Sequence, residues 1–138
     1  MLIWRWYQFN ELTPQQVYDI LQLREQVFTF GQNCNEPDID NVDITALHFT
    51  GYEQARLAAY LRVYHAEDKL KIGRVVVNPN DQGKGWGREL MVRAVQDLQV
   101  RFPGKAIAMS AQYYLEKFYQ SLGFKTTSEV YMEAGIEH

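Results

Sequence analysis

Residues 75–87 constrain this chain more than any other segment. Three consecutive valines, Val75, Val76 and Val77, end a predicted strand, and such an apolar run is typical of a strand buried on both faces. A glycine-rich loop follows, and an amphipathic helix begins at Trp86. Glycines let backbone N–H groups approach an anion closely, and the start of a helix offers free donors and a partial positive charge. The segment therefore predicts a loop that binds a pyrophosphate, with Lys84 adding a cation.

Two common phosphate-binding motifs do not fit this loop. A P-loop needs serine or threonine after its Gly-Lys pair, but Gly85 follows Lys84. A dinucleotide-binding fingerprint needs glycine at the position of Arg88. The alternative is a plain turn in which glycine serves geometry only. Three glycines and a lysine at a helix start, directly after a buried strand, favour the binding loop.

The rest of the chain reads as alternating strands and helices without repeats or linkers. Strands are predicted at residues 2–9, 45–52, 56–65, 70–77, 105–111 and 125–133. Thr13 and Gln16 form a predicted capping box for a helix that runs to about Phe28, and a short helix is predicted at residues 115–122. The order predicts an α+β fold, with a mixed, mostly antiparallel central sheet flanked by helices, as a single domain over residues 1–138.

Composition excludes several classes of protein. A chain of 138 residues with 46% hydrophobic residues suits one globular domain. The net charge is −3 and no block of lysine and arginine is present, so we expect no nucleic-acid partner. No apolar run approaches the ~20 residues needed to span a bilayer, so we expect no membrane partner. Cys34, the sole cysteine, forms no internal disulfide and no Cys/His metal cluster, which favours a cytoplasmic protein without a metal.

Two motifs resemble those of the GNAT N-acetyltransferases. Gln82-Gly83-Lys84-Gly85-Trp86-Gly87 fits the family's acetyl-CoA signature, (Arg or Gln)-x-x-Gly-x-(Gly or Ala), which follows a central strand and precedes a helix. Near the C-terminus, Tyr119-Gln120-Ser121-Leu122-Gly123-Phe124 looks like the family's Tyr-x-x-x-Gly-Phe. The resemblance covers nearly the whole chain and looks closest to the ElaA-type subfamily, through segments that include Leu23-Arg24, Gln32-Asn33-Cys34 and Ile72-Gly73-Arg74-Val75.

The resemblance implies the GNAT acyl-CoA N-acyltransferase fold and an enzyme in which an amine attacks the thioester of acetyl-CoA directly. The implied contacts with acetyl-CoA are Val75, Val76, Val77, Gln82, Gly83, Lys84, Gly85, Trp86, Gly87 and Gln112. Gln112 stands where the family usually has an asparagine that contacts CoA. Tyr119 is the expected general acid, which protonates the leaving thiolate. Its alternative role is that of a core aromatic, because it continues an apolar helical stripe.

The acceptor side offers several candidates, each with a structural alternative. His48 lies on a predicted strand and is a candidate catalytic residue or a buried structural histidine. Residues 30–43 are rich in carboxylates, which attract cations. The expected substrate contacts are Arg24, Asp38, Asp40 and Arg62, and the alternative is that the same side chains form structural ion pairs with each other and with Asp43. Glu25 is a further candidate for holding the amine, whereas no motif supports Cys34 as a nucleophile.

These expectations together predict an N-acetyltransferase whose acceptor is a small-molecule or peptide amine. The alternative, from another class, is a non-catalytic module that binds or senses acyl-CoA. The presence of both the glycine loop and Tyr119 favours the enzyme, because a binding module has no use for a general acid. The aromatic first strand could also form the edge of a homodimer.

Overall fold

The computed structural model describes residues 1–30, 37–110, 125–128 and 131–134. Within these residues the strands are β1 (Ile3–Gln8), β2 (Leu47–Glu53), β3 (Arg56–Ala66), β4 (Lys69–Val77), β5 (Ala106–Ser110), β6 (Lys125–Ser128) and β7 (Tyr131–Ala134). The α-helices there are α1 (Pro14–Arg24), α2 (Val42–Thr45) and α3 (Trp86–Arg101), with 3-10 turns at Phe9–Glu11 and Pro79–Asp81 and a π-helical turn at Glu25–Phe30. No helix in this part of the chain is long and apolar enough to cross a membrane.

The strands form one sheet in the order β1-β2-β3-β4-β5-β7-β6. Neighbouring strands are antiparallel except β4 and β5, which are parallel and are connected through α3. A parallel pair needs such a crossover because the chain must return to the same end of the sheet. This topology confirms the predicted mixed sheet flanked by helices.

A separate apolar core lies on each face of the sheet. Helix α3 covers one face through fully buried side chains, which are Leu90, Met91, Ala94 and Leu98. Helix α1 covers the other face, where Ile20 and Leu23 pack with Leu57, Tyr60 and Val76. The helical spacing of the apolar residues in α3 predicted this buried stripe correctly.

Two tryptophans of β1 attach the edge of the sheet to α3. The indole N–H groups of Trp4 and Trp6 donate to carboxylates of α3, Glu89 at 3.1 Å and Asp97 at 2.8 Å. The Trp4 ring lies directly over Gly51 of β2, where a Cβ would come within 2.7 Å of the ring. Any side chain at this position would therefore displace Trp4 from α3.

Helix α1 begins as predicted but ends differently. The Thr13 hydroxyl accepts from the Gln16 N–H at 3.1 Å, and the Gln16 side chain accepts from the Thr13 N–H at 2.8 Å. The α-helix ends at Arg24, and the following π-helical turn occupies residues that were predicted to continue it. Apolar spacing over one turn does not distinguish these two helix types, so the sequence pattern missed the change.

The prediction of a single C-terminal strand at residues 125–133 was wrong. Strands β6 and β7 pair antiparallel, with Lys125 opposite Glu133, so the chain reverses between them. Neither glycine nor proline occurs between residues 125 and 133, so nothing in the composition signalled a turn. Helix α2 was also missed, because four residues are too few to show a helical period.

Candidate functional site

The chain leaves β4 through a turn that Asn78 holds in place. The Asn78 N–H donates to the Ala58 carbonyl at 2.7 Å, and the Asn78 carbonyl accepts from the Asp81 N–H at 2.8 Å. The side-chain oxygen of Asn78 also accepts from the Asn80 N–H at 3.1 Å. These bonds fix the direction in which the loop continues towards α3.

Gly83 and Gly85 shape the start of α3. Their φ angles are 87° and 79°, in the left-handed region that favours glycine. A Cβ at either position would meet no described atom within 4 Å, so open space lies beside both. Gly85 is the N-cap and, being glycine, contributes no side-chain cap. The first turn of this 16-residue helix thus presents N–H groups and the positive end of the helix dipole to open space.

A buried aspartate ties the loop to the β2–β3 hairpin. Only 1% of the Asp81 side chain is exposed, and Arg56 contacts both of its oxygens, at 2.9 Å for the Nη2–Oδ1 pair. The Lys84 ammonium lies 3.0 Å from the same Oδ1 and 4.7 Å from the centroid of the Trp86 ring. Hydrogen bonds from Arg56, and then from Lys84, hold the pKa of Asp81 below its usual value. Lys84, the cation predicted for the loop, is therefore half exposed and already contacts Asp81 and the Trp86 ring.

The described pairing of strand β4 with β5 stops before β4 ends. The parallel pairs run from Lys69–Ala106 to Ile72–Met109, and the described register stops there. Strand β4 continues to Val77, still paired with β3 on its other side. In the described part of the sheet, the β5-facing edge of residues 73–77 thus lies outside the ladder. Backbone N–H and C=O groups on such an edge can pair with an extended ligand.

A bulge interrupts the β3–β4 ladder beside this opening. Tyr60 pairs with Val76 and Arg62 pairs with Gly73, so two steps along β3 correspond to three along β4. The extra residue defines a β-bulge, which bends the strand and changes the direction of its side chains. Arg74 lies in the bulge with φ 51°, a conformation that non-glycine residues rarely adopt.

The bulge determines which face of the sheet each of the three valines takes. Before it, Leu70 and Ile72 lie in the core under α3. After it, Val75 and Val77 pack against that same core, and Val76 joins the core under α1. The predicted burial of this strand end on both faces is therefore confirmed.

His48 is 2% exposed, and both of its ring nitrogens have partners. Nε2 lies 2.8 Å from the carbonyl oxygen of Asp43, and Nδ1 lies 2.6 Å from the Tyr60 hydroxyl. Because a carbonyl only accepts, Nε2 carries the proton and the tyrosine hydroxyl donates to Nδ1. Burial lowers the pKa of His48, which favours this neutral ring. The geometry thus favours the structural alternative over a role as base.

Three arginines and three aspartates form a buried network on the α1 side of the sheet. The members are Arg24, Arg62, Arg74, Asp38, Asp40 and Asp43. Arg24, whose side chain is fully buried, donates to Asp38 at 2.8 Å and to Asp43 at 2.7 Å. Arg62 donates to Asp40 at 2.7 Å and to Asp43 at 2.9 Å. Each aspartate therefore joins two arginines, with Arg74 as the second partner of Asp38 and Asp40.

The network neutralises the carboxylates that the sequence offered to a cationic acceptor. Burial alone would raise the pKa of Asp43, but hydrogen bonds and charge from Arg24 and Arg62 outweigh it and hold the pKa below its usual value. The hydrogen bond from Arg62 likewise lowers the pKa of Asp40. All three aspartates are paired with arginines, which favours the structural ion-pair alternative for these residues.

Sequence reasoning missed two residues of this region. Tyr60, fully buried, bonds His48, and Arg74 joins the network from the bulge. The only signal for Arg74 was its place in the segment resembling the ElaA type, and Tyr60 looked like any core aromatic. Gln112, Tyr119 and Cys34 lie outside the described residues, so their expected roles stay predictions.

A cleft of about 700 Å³ lies between α1 and the β2–β3 turn and reaches Asn78 at the end of β4. Its walls carry two carboxylates, Asp19 and Glu53, together with Gln22, Gln26 and one cation, Arg56, which lies 2.9 Å from Glu53. The Tyr52 hydroxyl donates to Asp19 at 2.9 Å. Among the described residues, no group of three or more His, Cys, Asp and Glu side chains is placed to hold a metal ion.

Comparisons with known proteins agree with this geometry. A sequence model of the acetyltransferase (GNAT) domain matches residues 11–138. Protein ElaA of Escherichia coli (strain K12) is 38% identical over 143 residues, which cover 100% of this chain and 94% of ElaA. The crystal structure of Escherichia coli ElaA superimposes with a TM-score of 0.92 at 33% identity and covers 97% of this chain and 99% of ElaA.

Two further solved structures share the fold. An acyl-CoA N-acyltransferase from Pseudomonas aeruginosa has a TM-score of 0.92 at 30% identity, over 98% of this chain and 100% of that one. A GNAT family acetyltransferase from Brucella melitensis, solved in complex with acetyl-CoA, has a TM-score of 0.70 at 16% identity, over 99% of this chain and 90% of that one. At the latter identity the likeness concerns the fold alone.

Proposed function

The chain belongs to the GNAT acetyltransferase family, and we propose that it transfers the acetyl group of acetyl-CoA to a primary amine in a ternary complex. One observation carries the proposal. Within the described residues, strand β4 has no pair with β5 beyond Ile72, and the loop after β4 carries two glycines with open space beside them at the start of α3. A strand edge and a helix N-terminus in sequence suit an extended ligand that ends in phosphates.

The residues present fit acetyl-CoA as the donor. Backbone N–H groups at Gly83, Gly85 and the first turn of α3 would hold the pyrophosphate, because the space beside both glycines is open. Lys84 would add a charge, after exchanging its bond with Asp81 for one with phosphate. The free edge of residues 73–77 would pair with the amide groups of the pantetheine arm. The Brucella neighbour, which was solved with acetyl-CoA, supports this donor.

Acetyl-CoA supplies an activated acyl thioester, and the chain's own groups do the rest. Backbone N–H groups of residues 75–77 would donate to the carbonyl oxygen as it gains negative charge. The amine nitrogen bonds to the acyl carbon and the C–S bond breaks, so one proton leaves the nitrogen and one is needed at sulfur. Tyr119 remains the expected donor to sulfur, since a phenol with pKa ~10 can protonate a thiolate of pKa ~8.5 in a positioned site.

The acceptor is proposed as a small-molecule or peptide amine. Asp38 and Asp40 are paired with arginines, so direct capture of a cation there would require breaking buried ion pairs. The cleft beside Asn78 offers a second approach, with Asp19 on its wall and with Glu53 in a half-exposed pair with Arg56. Carboxylates in a cleft raise the local concentration of a cationic amine.

The test is release of CoA thiol from acetyl-CoA in the presence of amines, polyamines and short peptides with free amino termini. Calorimetry with CoA alone runs in parallel. Amine-dependent release, with the acetylated product identified by mass spectrometry, is the expected result. Binding of CoA without release for any acceptor would favour a non-catalytic acyl-CoA module, and an absence of binding would contradict both functions.

A further inference from the structure

Arg74 lies at the bulge of β4, where the register of the sheet is interrupted. The described pairs with β5 end at Ile72, and the pairs with β3 skip from Gly73 to Val76. Arg74 and Val75 therefore have no direct register partner in the described part of the sheet, although both are strand residues of β4. Yet these residues directly precede the backbone that the proposed function assigns to the thioester.

The Arg74 side chain supplies a constraint where the ladders do not. Its Nε donates to Oδ1 of Asp38 at 2.7 Å, and its Nη2 donates to the Asp38 carbonyl at 2.9 Å. The guanidinium thus bonds both the side chain and the backbone carbonyl of Asp38 through two of its nitrogens. A lysine ammonium, which has a single nitrogen, could not reproduce this two-point geometry. Nη2 also lies 3.3 Å from Oδ2 of Asp40.

Asp38 is itself anchored to α1. Its second oxygen, Oδ2, accepts from Nε of Arg24 at 2.8 Å, and its carbonyl also accepts from Nη2 of Arg24 at 2.8 Å. Only 10% of the Asp38 side chain is exposed, and Arg24 is fully buried. The bulge is therefore connected through Asp38 to a fully buried side chain of α1.

The backbone of Arg74 is left-handed, as at three other non-glycine residues of the described chain, but here within a strand. A φ of 51° suits glycine or asparagine better than arginine, so this residue is held in an unfavourable conformation by its partners. Such outliers persist where the surrounding structure over-determines them, and they cluster at functional sites.

We propose that Arg74 and Asp38 form a clamp that fixes the β4 bulge and thereby directs the backbone N–H groups of residues 75–77 at the thioester carbonyl. This inference rests on the proposed function. Arg74 is a positioning residue, since it acts through the backbone and contacts no reacting atom. Small misplacements of such groups cost about 10- to 100-fold in rate, so the clamp should affect turnover more than donor binding.

The test replaces Arg74 with asparagine, which removes the clamp but tolerates a positive φ. Arg74→Lys is the second variant, because it keeps the charge and loses the fork. Gly104→Ala is the control, a substitution at the opposite end of α3. Readouts are kcat and KM for acetyl-CoA, CoA affinity by calorimetry, and amide hydrogen exchange at residues 75–77 in the ligand-free protein.

We expect Arg74→Asn to lower kcat about tenfold or more while KM and CoA affinity change by less than about threefold. Exchange at residues 75–77 should accelerate, with α3 unchanged, and Arg74→Lys should fall between wild type and Arg74→Asn. Unchanged exchange would overturn the clamp whatever the enzyme does. Faster exchange with a wild-type kcat would overturn its role in positioning. Faster exchange in a protein whose wild type acetylates no amine would leave the clamp standing but refute the proposed function.

Discussion

Replacing Gly85 with alanine separates donor binding from folding. Gly85 has φ 79°, and alanine in that conformation costs about 1–2 kcal/mol. No described atom lies within 4 Å of the added Cβ, so no steric term is added to this cost. For a domain of this size, the loss corresponds to a drop in melting temperature of roughly 3–8 °C. The methyl group, however, would stand where a phosphate oxygen must approach the backbone.

Gly104 provides a matched control for this substitution. Its φ is 83°, and a Cβ there would also meet nothing within 4 Å. It follows the C-terminal end of α3, whose 16 residues span about 24 Å. Gly104→Ala should therefore cost the same stability and leave the start of the helix untouched.

Calorimetric titration with CoA, next to thermal melts of the same samples, measures both effects. We expect Gly85→Ala to raise the Kd for CoA about tenfold or more, equivalent to about 1.4 kcal/mol or more, while Gly104→Ala changes it less than about twofold. If Gly85→Ala and Gly104→Ala are equally stable and bind CoA with equal affinity, the phosphates of CoA do not occupy the open space at the start of α3, and the assignment is refuted. Unequal melting temperatures would refute the energetic reasoning from φ.

Three further predictions concern other parts of the chain. Tyr119→Phe should slow turnover by about 10²–10⁴-fold with CoA affinity unchanged, as steady-state rates and calorimetry would reveal; a wild-type rate would return Tyr119 to the role of a core aromatic. The pKa of Asp43 is lower in the folded protein than in the unfolded chain, so its ion pairs contribute to the free energy of unfolding in full above about pH 4, the usual carboxyl range. That contribution should be lost as the pH falls through the folded-state pKa. Urea midpoints measured stepwise from pH 7 to pH 2 should show this decline, and a flat profile would contradict it. Gly51→Ala should lower the free energy of unfolding by about 1–3 kcal/mol, because Trp4 must move to admit the Cβ. Gly73→Ala should not lower it, because the nearest described atom to the added Cβ, Nε of Arg62, lies 3.9 Å away. Equal urea midpoints for the two variants would contradict the packing argument.

The local structure of residues 75–87 could be predicted because its signals are local. A buried strand end, a glycine-rich loop and a helix start all depend on residues within a few positions of each other. The structure places Val76 in one core, Val75 and Val77 against the other, and the start of α3 at Trp86, as the sequence pattern implied. A local structure that depends on consecutive residues can be predicted without knowledge of the tertiary fold.

The arrangement of the residues expected on the acceptor side could not be predicted, because it depends on partners that are distant in the sequence. His48 is set apart from a catalytic base by its burial and by its bonds to Tyr60 and to the Asp43 carbonyl. Arg24 meets Asp43 across 19 positions of sequence. The sequence contains the arginines and aspartates but does not show which of them pair. The catalytic and the structural interpretations could therefore be distinguished only from the three-dimensional structure.

The sequence contains a partial sign of the bulge. Apolar residues alternate at Leu70 and Ile72, and the alternation restarts at Val75 and Val77 after an odd interval. An odd interval between residues on one face requires an extra residue in the strand. Val76 is apolar as well, and a continuous apolar run does not show which residues share a face of the sheet. The shift in alternation therefore could not be recognised from the sequence.

Because β4 changes phase at the bulge, the number of residues between Ile72 and Val76 decides the path of this strand. Deleting one residue there would restore simple alternation and leave Val75 and Val77 towards α3 and Val76 towards α1, because the bulge holds the one extra residue. The deletion would remove the bulge and the left-handed backbone of Arg74 without moving any valine to the other face. The extra residue therefore changes the course of the backbone and leaves the two apolar cores intact.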